Sequence, residues 1–466
     1  MPGGVAVHDA HGWWIAEATA AGLAPAPLPP LASDLTVDVL DVGGGYTGLW
    51  TAWHVLAAEP QARVAVLEAG RCGFGPSGRN GGFVSSLGPS LPRLRGLIGR
   101  PAARTVGAAA QASVRAIGDW CTAEAVDAWY APAPHLLVAT CRAQDGIGLP
   151  AVDGDEVVPL GPDEVRAVCA SPVFRGGIAV RTGATVQPAR LAFGLRERLR
   201  ARGARVFEHT RVRALREGGA GVVAESTTGA HVQAGAAVVA VNAAAAALAP
   251  LRARLTVSSS HLLITEPVPD VIAALGWTGG EPITDGRALL HYMRTTPDGR
   301  IAYGWAGGRM AAGARLGGRR EVDRAVVSHA HRDLLRTFPA LAGRRIDHAW
   351  GGPIDVAANH LPTIATLGAR TWAAFGYTGN GVGPSHLLGR TLAALALGRR
   401  DDAARLPLVD PPSRPLPPEP LRLAGAALIR RALVRREDLA EAGRTADPAT
   451  RALTALPALL GVHVVR

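Results

Sequence analysis

Apolar and polar positions along this chain follow two rhythms, and the switches between them predict its elements. Val37–Val42 is a short, mostly apolar run of strand type, cut by glycines at 43, 44, 45 and 48. An apolar run with helical spacing follows from about Leu49 to Ala58, and a second strand occupies Arg63–Leu67. Helical patterns cover about 101–124, 188–202, 321–337, 384–397 and 419–436. The segment 126–182 reads as short strands and loops, among them Ala128–Tyr130 and Leu136–Thr140. The strand Arg205–Phe207 precedes hairpin-like strands around 212–241. From 255 to 310, alternating segments such as His261–Ile264 and Arg300–Gly304 predict an antiparallel sheet. Residues 1–36 form an Ala/Pro-rich arm with Trp13 and Trp14 as docking points. The Pro/Arg-rich tail beyond Arg399 carries charges that read as a solvated face.

The first strand–glycine–helix–strand unit has a specific chemistry. Gly43, Gly45 and Gly48 stand at the G-x-G-x-x-G spacing, and Glu68 stands 20 residues beyond Gly48. Gly43 permits a tight turn, Gly45 lets a pyrophosphate approach the backbone, and Gly48 lets helix and strand pack closely. The helix start, with Tyr46 and Thr47, offers N–H groups and a positive dipole end to phosphates. Glu68 lies where a carboxylate accepts hydrogen bonds from a ribose diol. A second glycine-rich loop spans 73–82, and a third, 376–383, follows the strand Trp372–Phe375 and opens a helix. Nucleotide-type elements more than 300 residues apart predict a discontinuous cofactor domain interrupted by a substrate domain.

Composition narrows the classes. At 466 residues the chain is long enough for two domains. A net charge of +11 raises nucleic acid as a partner. The arginines are spread along the chain, however, with no aromatic-interleaved basic stripe, so no nucleic acid is expected. There is no lysine, which excludes Schiff-base catalysis and a P-loop lysine. Cys72, Cys121, Cys141 and Cys169 show no metal spacing and read as reduced, buried thiols; no metal site is expected. No signal-peptide pattern opens the chain. The run Ser226–Leu251 lacks Asp, Glu, Lys and Arg but is interrupted by His231, Gln233, Gly235 and Asn242, and reads as buried structure. A cytoplasmic protein without a membrane span is expected.

Together these motifs carry a resemblance. Val42–Leu49, Gly75-x-Ser77–Gly82, Val186-Gln187-Pro188 and Gly379–Gly383 resemble the FAD-dependent oxidoreductases of the D-amino-acid oxidase/glycine oxidase superfamily, most of all its γ-glutamylputrescine oxidase-like branch. The resemblance covers roughly 37–400. It implies an α/β fold, with a discontinuous Rossmann-like FAD-binding domain (37–125, 183–250 and 347–400). A mixed or antiparallel-sheet substrate domain (126–182 and 251–346) and a C-terminal extension (401–466) complete the expected organisation. It also implies that Gly43, Gly45, Tyr46, Thr47, Gly48 and Glu68 hold the ADP half of FAD. Ser77, Arg79, Asn80, Gly81 and Gly82 would then lie along the pyrophosphate and flavin, and Val212 would contact adenine through its backbone. Gly379, Asn380, Gly381 and Val382 would close over the isoalloxazine edge. Asp41 departs from the pattern, standing where the family carries an apolar residue. A strand covered on both faces takes a carboxylate only when it is paired or protonated. An arginine partner or local exposure is expected for it; the alternative is weakened FAD affinity.

The implied reaction oxidises a C–N bond, with hydride passing from the amine-bearing carbon to flavin N5, imine hydrolysis, and reoxidation by O2 or another acceptor. Relatives that oxidise amino acids place an arginine shortly after a Trp-x-Gly strand as a carboxylate fork. The corresponding stretch here, Trp350–Asp355, has none, so a small-molecule amine lacking an α-carboxylate is expected. Asp355 reads as a structural or capping aspartate, with pairing to a distal ammonium as the alternative. Tyr292, Arg294 and Trp350 are the catalytic-site candidates. Arg294 would clamp a carboxylate elsewhere on the substrate, with a strand-surface charge as its alternative. Trp305 and Tyr377 could join an aromatic wall, and His291 and His360 could lie near the flavin. Two further readings stay open: oxidation of a small or N-methylated amino acid, and a non-catalytic flavoprotein subunit.

Overall fold

The computed structural model describes residues 11–147, 156–313 and 315–459. Small parts of the expected arm, of the 126–182 segment and of the C-terminal extension lie outside those residues.

Two eight-stranded sheets organise the chain. In the first, Leu35–Val42 pairs in parallel with Val64–Leu67 on one side and His231–Val239 on the other. Apolar packing on both faces explains its nearly continuous apolar character. One face carries the helix Tyr46–Ala58, whose Leu49, Trp50 and Val55 share a core with Leu191 and Leu195 of the helix Pro188–Ala201. His231–Val239 also pairs with two further neighbours. Its first half joins the antiparallel strand Gly221–Ser226, and its last residues join Thr371–Phe375 in parallel. This forked strand brings the third glycine loop beside the first. The charge-free run 226–251 therefore holds a strand, His231–Val239, exposed at His231, Gln233 and Gly235 and buried from Ala236 on, followed by a 3-10 turn, Asn242–Ala247. Among the described residues, no helix is long and apolar enough to cross a membrane.

The second sheet runs Ile346–Ala357, Leu255–Thr265, Ile301–Trp305, His291–Thr295, Ile283–Asp285, His135–Val138, Gly177–Val180 and Val157–Leu160. Its central pairs are antiparallel, with Leu262 opposite both Gly304 and Trp350. The boundary expected at 347 falls inside Ile346–Ala357, which hydrogen-bonds throughout to Leu255–Thr265 and so belongs to this second sheet.

Several expectations change. Ala128–Tyr130 is not a strand; Trp129 takes a left-handed conformation, and the chain pairs only at Ala131–Pro132. The arm contains a helix, Trp13–Ala20, with Trp14 wholly buried. Gln187 Nε2 donates to Trp14 O, and Arg190 pairs with Glu17, fixing this helix to Pro188–Ala201. The tail is not simply a solvated face. Its helix, Leu421–Glu441, turns Glu437, Asp438 and Glu441 onto the buried side chain of Arg287, in the loop between Ile283–Asp285 and His291–Thr295 of the second sheet. Asp333 binds the same guanidinium from the helix Arg324–Thr337 at 3.0 Å.

Candidate functional site

A cavity of about 1850 Å³ is lined from both sheets, beyond the roughly 300–1,000 Å³ typical of a single small ligand. Its nucleotide end is built by the first glycine turn. Gly43 has φ +115°, and a Cβ there would stand 2.4 Å from Ala240 O. A Cβ on Gly48 would stand 2.0 Å from Gly43 O, so glycine there is required for the helix to seat on the turn. Gly45 differs: only Ser77 Oγ lies within 4 Å of its Cβ position, and it lines the cavity. As N-cap of Tyr46–Ala58 it contributes no side-chain acceptor. The positive end of the helix thus faces the cavity without a carboxylate cap.

Glu68 closes this end. Its Oε2 accepts from Gly44 N at 2.8 Å and its Oε1 from Gly70 N at 2.7 Å. Burial pushes its carboxyl upward, opposed by those two N–H groups. Behind it lies Glu208, which sequence patterning did not single out. Glu208 is wholly buried and accepts from Leu28 N, Cys72 N and Arg196 Nη1, each between 2.8 and 2.9 Å. It thereby supports the Cys72 end of the second glycine loop. The one local signal was its place just after the strand Arg205–Phe207.

The second glycine loop is shaped from within. Asn80 Nδ2 donates to Pro76 O and Ser77 O, while Asn80 Oδ1 accepts from Gly82 N. Ser77 Oγ accepts from Tyr46 N at 2.9 Å, joining this loop to the helix start. The third loop is tied on by Thr47 Oγ1, 2.6 Å from Tyr377 OH. Of the expected cofactor residues, Gly43, Gly45, Tyr46, Thr47, Glu68 and Ser77 line the one cavity. So do Arg79, Asn80, Gly81, Val212, Gly379, Asn380, Gly381 and Val382. Gly48 and Gly82 do not line it; they act through the backbone packing around it.

The catalytic-site candidates divide. Tyr292 lines the cavity, its OH lies 2.7 Å from Ser260 Oγ, and its ring edge packs on Gly81. Ser260 also lines the cavity and donates to Trp305 O. Arg294 is neither a substrate clamp nor a strand-surface charge. It is buried, with Nη1 donating to Gly82 O at 3.0 Å and Val186 O at 2.6 Å and Nε donating to Thr295 O. Its alternating position put it on a strand, but its inner face meets two loop carbonyls rather than the cavity. Trp350 is likewise structural: Nε1 donates to Arg79 O at 2.8 Å, and its ring packs edge-on against Trp14. Trp305 is buried with Nε1 on Leu289 O. His291 is enclosed between Asp285 and Asp333, which raise its pKa against the opposing effect of burial. None of these four lines the cavity, whereas Tyr377 and His360 do.

Asp355 lines the cavity but is almost wholly buried, and it accepts from Gly376 N and Asn242 Nδ2. Burial lifts its carboxyl to about 6, partly opposed by backbone N–H groups, that of Gly376 first. It organises the start of the third glycine loop. Asp41 overturns the expected arginine partner or exposure. It is fully buried, and neither oxygen has a hydrogen-bond partner among the described residues. Desolvation holds its carboxyl well above the usual range, which favours its protonated, neutral form in the strand.

Comparison with known proteins agrees with this geometry. The family described as DAO, FAD dependent oxidoreductase, matches residues 38–395. Gamma-glutamylputrescine oxidoreductase of Escherichia coli is 32% identical over 394 residues, covering 82% of this chain and 89% of the relative. A probable oxidoreductase, OrdL, of Rhizobium meliloti is 27% identical over 403 residues, covering 83% and 89%. Glycine oxidase from Bacillus cereus superposes with a TM-score of 0.65 at 20% identity, covering 81% of this chain and 99% of that structure.

Proposed function

The chain belongs to the DAO family of FAD-dependent oxidoreductases, and from that premise we propose that it oxidises an amine lacking an α-carboxylate. The residues present fit FAD. The side-chain-free Gly45, the helix start that carries no carboxylate cap, and the Glu68 carboxylate all line the cavity. Gly43–Thr47 and Glu68 would hold the ADP half. Ser77–Gly81 and Gly379–Val382 would hold the flavin. When bound, the cofactor supplies a two-electron acceptor for hydride from the amine-bearing carbon, and water then hydrolyses the resulting imine.

The observation that carries the substrate reading is the fate of Arg294, the arginine candidate for a carboxylate clamp. Arg294 is committed to Gly82 O and Val186 O, and the cavity-facing stretch Gly352–Asp355 contains no cation. Tyr292 and Ser260 instead present a pair of hydroxyls, which can orient an amine by donating or accepting a hydrogen bond. One relative is named for γ-glutamylputrescine, whose putrescine end is an amine with no carboxylate on the neighbouring carbon, which supports this reading for the reacting end of the substrate. With no lysine in the chain, no ammonium side chain is present to favour electron transfer to O2. A dye acceptor is therefore expected to outperform O2, and the protein is expected to act in the cytoplasm.

The test is anaerobic titration of the purified flavoprotein with amines and with α-amino acids, followed by flavin absorbance. Bleaching by amines is expected. Bleaching by α-amino acids alone would overturn the substrate reading, and rapid H2O2 release would overturn the acceptor reading.

A further inference from the structure

The family match ends at residue 395, yet the chain beyond it walls the same cavity. Leu421, Gly425, Ile429 and Leu433 all line it, each one turn apart along the helix Leu421–Glu441. Leu456 of the helix Pro448–Leu459 joins them. This wall stands on the sheet that carries the paired hydroxyls. Arg430 donates to Gly307 O and Gly308 O, just past the strand Ile301–Trp305, whose last carbonyl accepts from Ser260.

The charges on the wall are already committed. Arg430 is held by those two carbonyls, and Arg422 donates to Pro417 O and Arg252 O. The acidic residues of the helix, Glu437, Asp438 and Glu441, turn away onto Arg287, and none of them lines the cavity. Leu421 and Leu456 are exposed, at the open edge of this wall. A second ammonium reaching this wall would meet leucine, isoleucine and two cations.

We infer that the C-terminal extension is the distal wall of the substrate compartment and that it selects amines with an apolar, uncharged distal chain over diamines. The inference rests on the reading that this cavity takes an amine. Gly425 is the point at which to test it, because a Cβ built there meets no heavy atom within 4 Å. Primary n-alkylamines of three to eight carbons, and α,ω-diamines of matching length, would be titrated anaerobically into the holoenzyme. Binding is read by flavin absorbance shift and by thermal midpoint.

Each added methylene is expected to tighten binding about fourfold, the factor for one buried CH2 group. Each diamine is expected to bind more weakly than the monoamine of equal length. Gly425→Phe should remove the gain from the longer chains. Ile429→Ala, which only deletes atoms from the wall, should weaken the longest amines and so covers the case in which Gly425→Phe does not fold. A flat length dependence in the natural protein, diamines binding as well as monoamines, or a length dependence unchanged in both variants would overturn the inference. Length-dependent binding without flavin reduction would support the wall while refuting amine oxidation.

Discussion

Replacing Asp41 tests the packing argument at its sharpest point. The residue lies mid-strand, in register with Val66 on one side and Val238 on the other, fully enclosed and with both carboxyl oxygens unpartnered. An enclosed polar group without a hydrogen bond costs about 1–3 kcal/mol. Valine is close to aspartate in size and is favoured in strands. Asp41→Val should therefore stabilise the protein by about 2 kcal/mol at a pH where both states keep the aspartate protonated. The sign of the pH dependence follows from linkage. In the unfolded chain the carboxyl releases its proton near pH 3.9, whereas burial makes the folded Asp41 retain it. Between those two pKa values the folded state binds one proton more, so the stability of the natural protein falls by about 1.4 kcal/mol per unit as pH rises. The variant lacks that slope, and its advantage must grow with pH. Unfolding entropy near 2.1 cal/mol/K per residue makes each kcal/mol worth about 1 °C in Tm for a chain of this length. The assay is thermal unfolding by circular dichroism at pH 5, 6 and 7 for the natural protein, Asp41→Val and Asp41→Asn. Asparagine should remove the same slope with a smaller gain, because its amide is also left unpartnered. FAD affinity should not change, since Asp41 does not line the cavity. A valine variant less stable than the natural protein, or one whose advantage is equal at pH 5 and pH 7, would refute the claim of an unpartnered neutral acid.

Three further outcomes are expected. Glu68→Ala removes the acceptor for Gly44 N and Gly70 N and should weaken FAD binding about 10- to 100-fold, the range for losing charge-assisted hydrogen bonds; reconstitution of apoprotein followed by flavin fluorescence measures it. Arg294→Met leaves Val186 O without its donor, and Gly82 O with Val186 N alone, and should lower stability by about 1–3 kcal/mol while leaving the amine KM of the folded enzyme unchanged; a large KM rise at unchanged stability would restore the clamp. Arg287→Met removes the buried cation shared by Asp333, Glu437 and Glu441 and should release the C-terminal helix, read as rapid proteolysis between residues 400 and 420. Burial raises the pKa values of Glu437 and Glu441, so their share of this docking is full below the unfolded value of about 4.5 and is lost as pH rises through the folded ones; protection from protease should fall as pH rises from 4.5.

The nucleotide end of the site was legible because its determinants are local. Gly43, Gly45 and Gly48 are set by backbone sterics within one turn, and Glu68 follows at the end of the next strand, so spacing alone fixes their relation. The same holds for Ser77–Gly82 and Gly379–Val382, each a contiguous loop at an element boundary. Arg294 and Trp350 were misplaced for the opposite reason. Period-two patterning assigns each to a strand but says nothing about what crosses the strand's inner face. For Arg294 that is the carbonyl of Val186, and for Trp350 the carbonyl of Arg79, 271 positions away in the chain.

By itself, then, the sequence determined the dinucleotide unit, through glycine sterics, helix polarity and short spacings, and, through the resemblance its motifs carry, the cofactor class and the oxidoreductase family. Only the tertiary structure decided which charged side chains are spent on the framework and which face the cavity. It placed Arg294 on loop carbonyls, left Asp41 unpartnered in a strand, and folded the tail back over the second sheet through Arg287 and Glu437, 150 residues apart. Such choices depend on which distant groups meet when a charge is taken out of water, and no local pattern encodes that meeting.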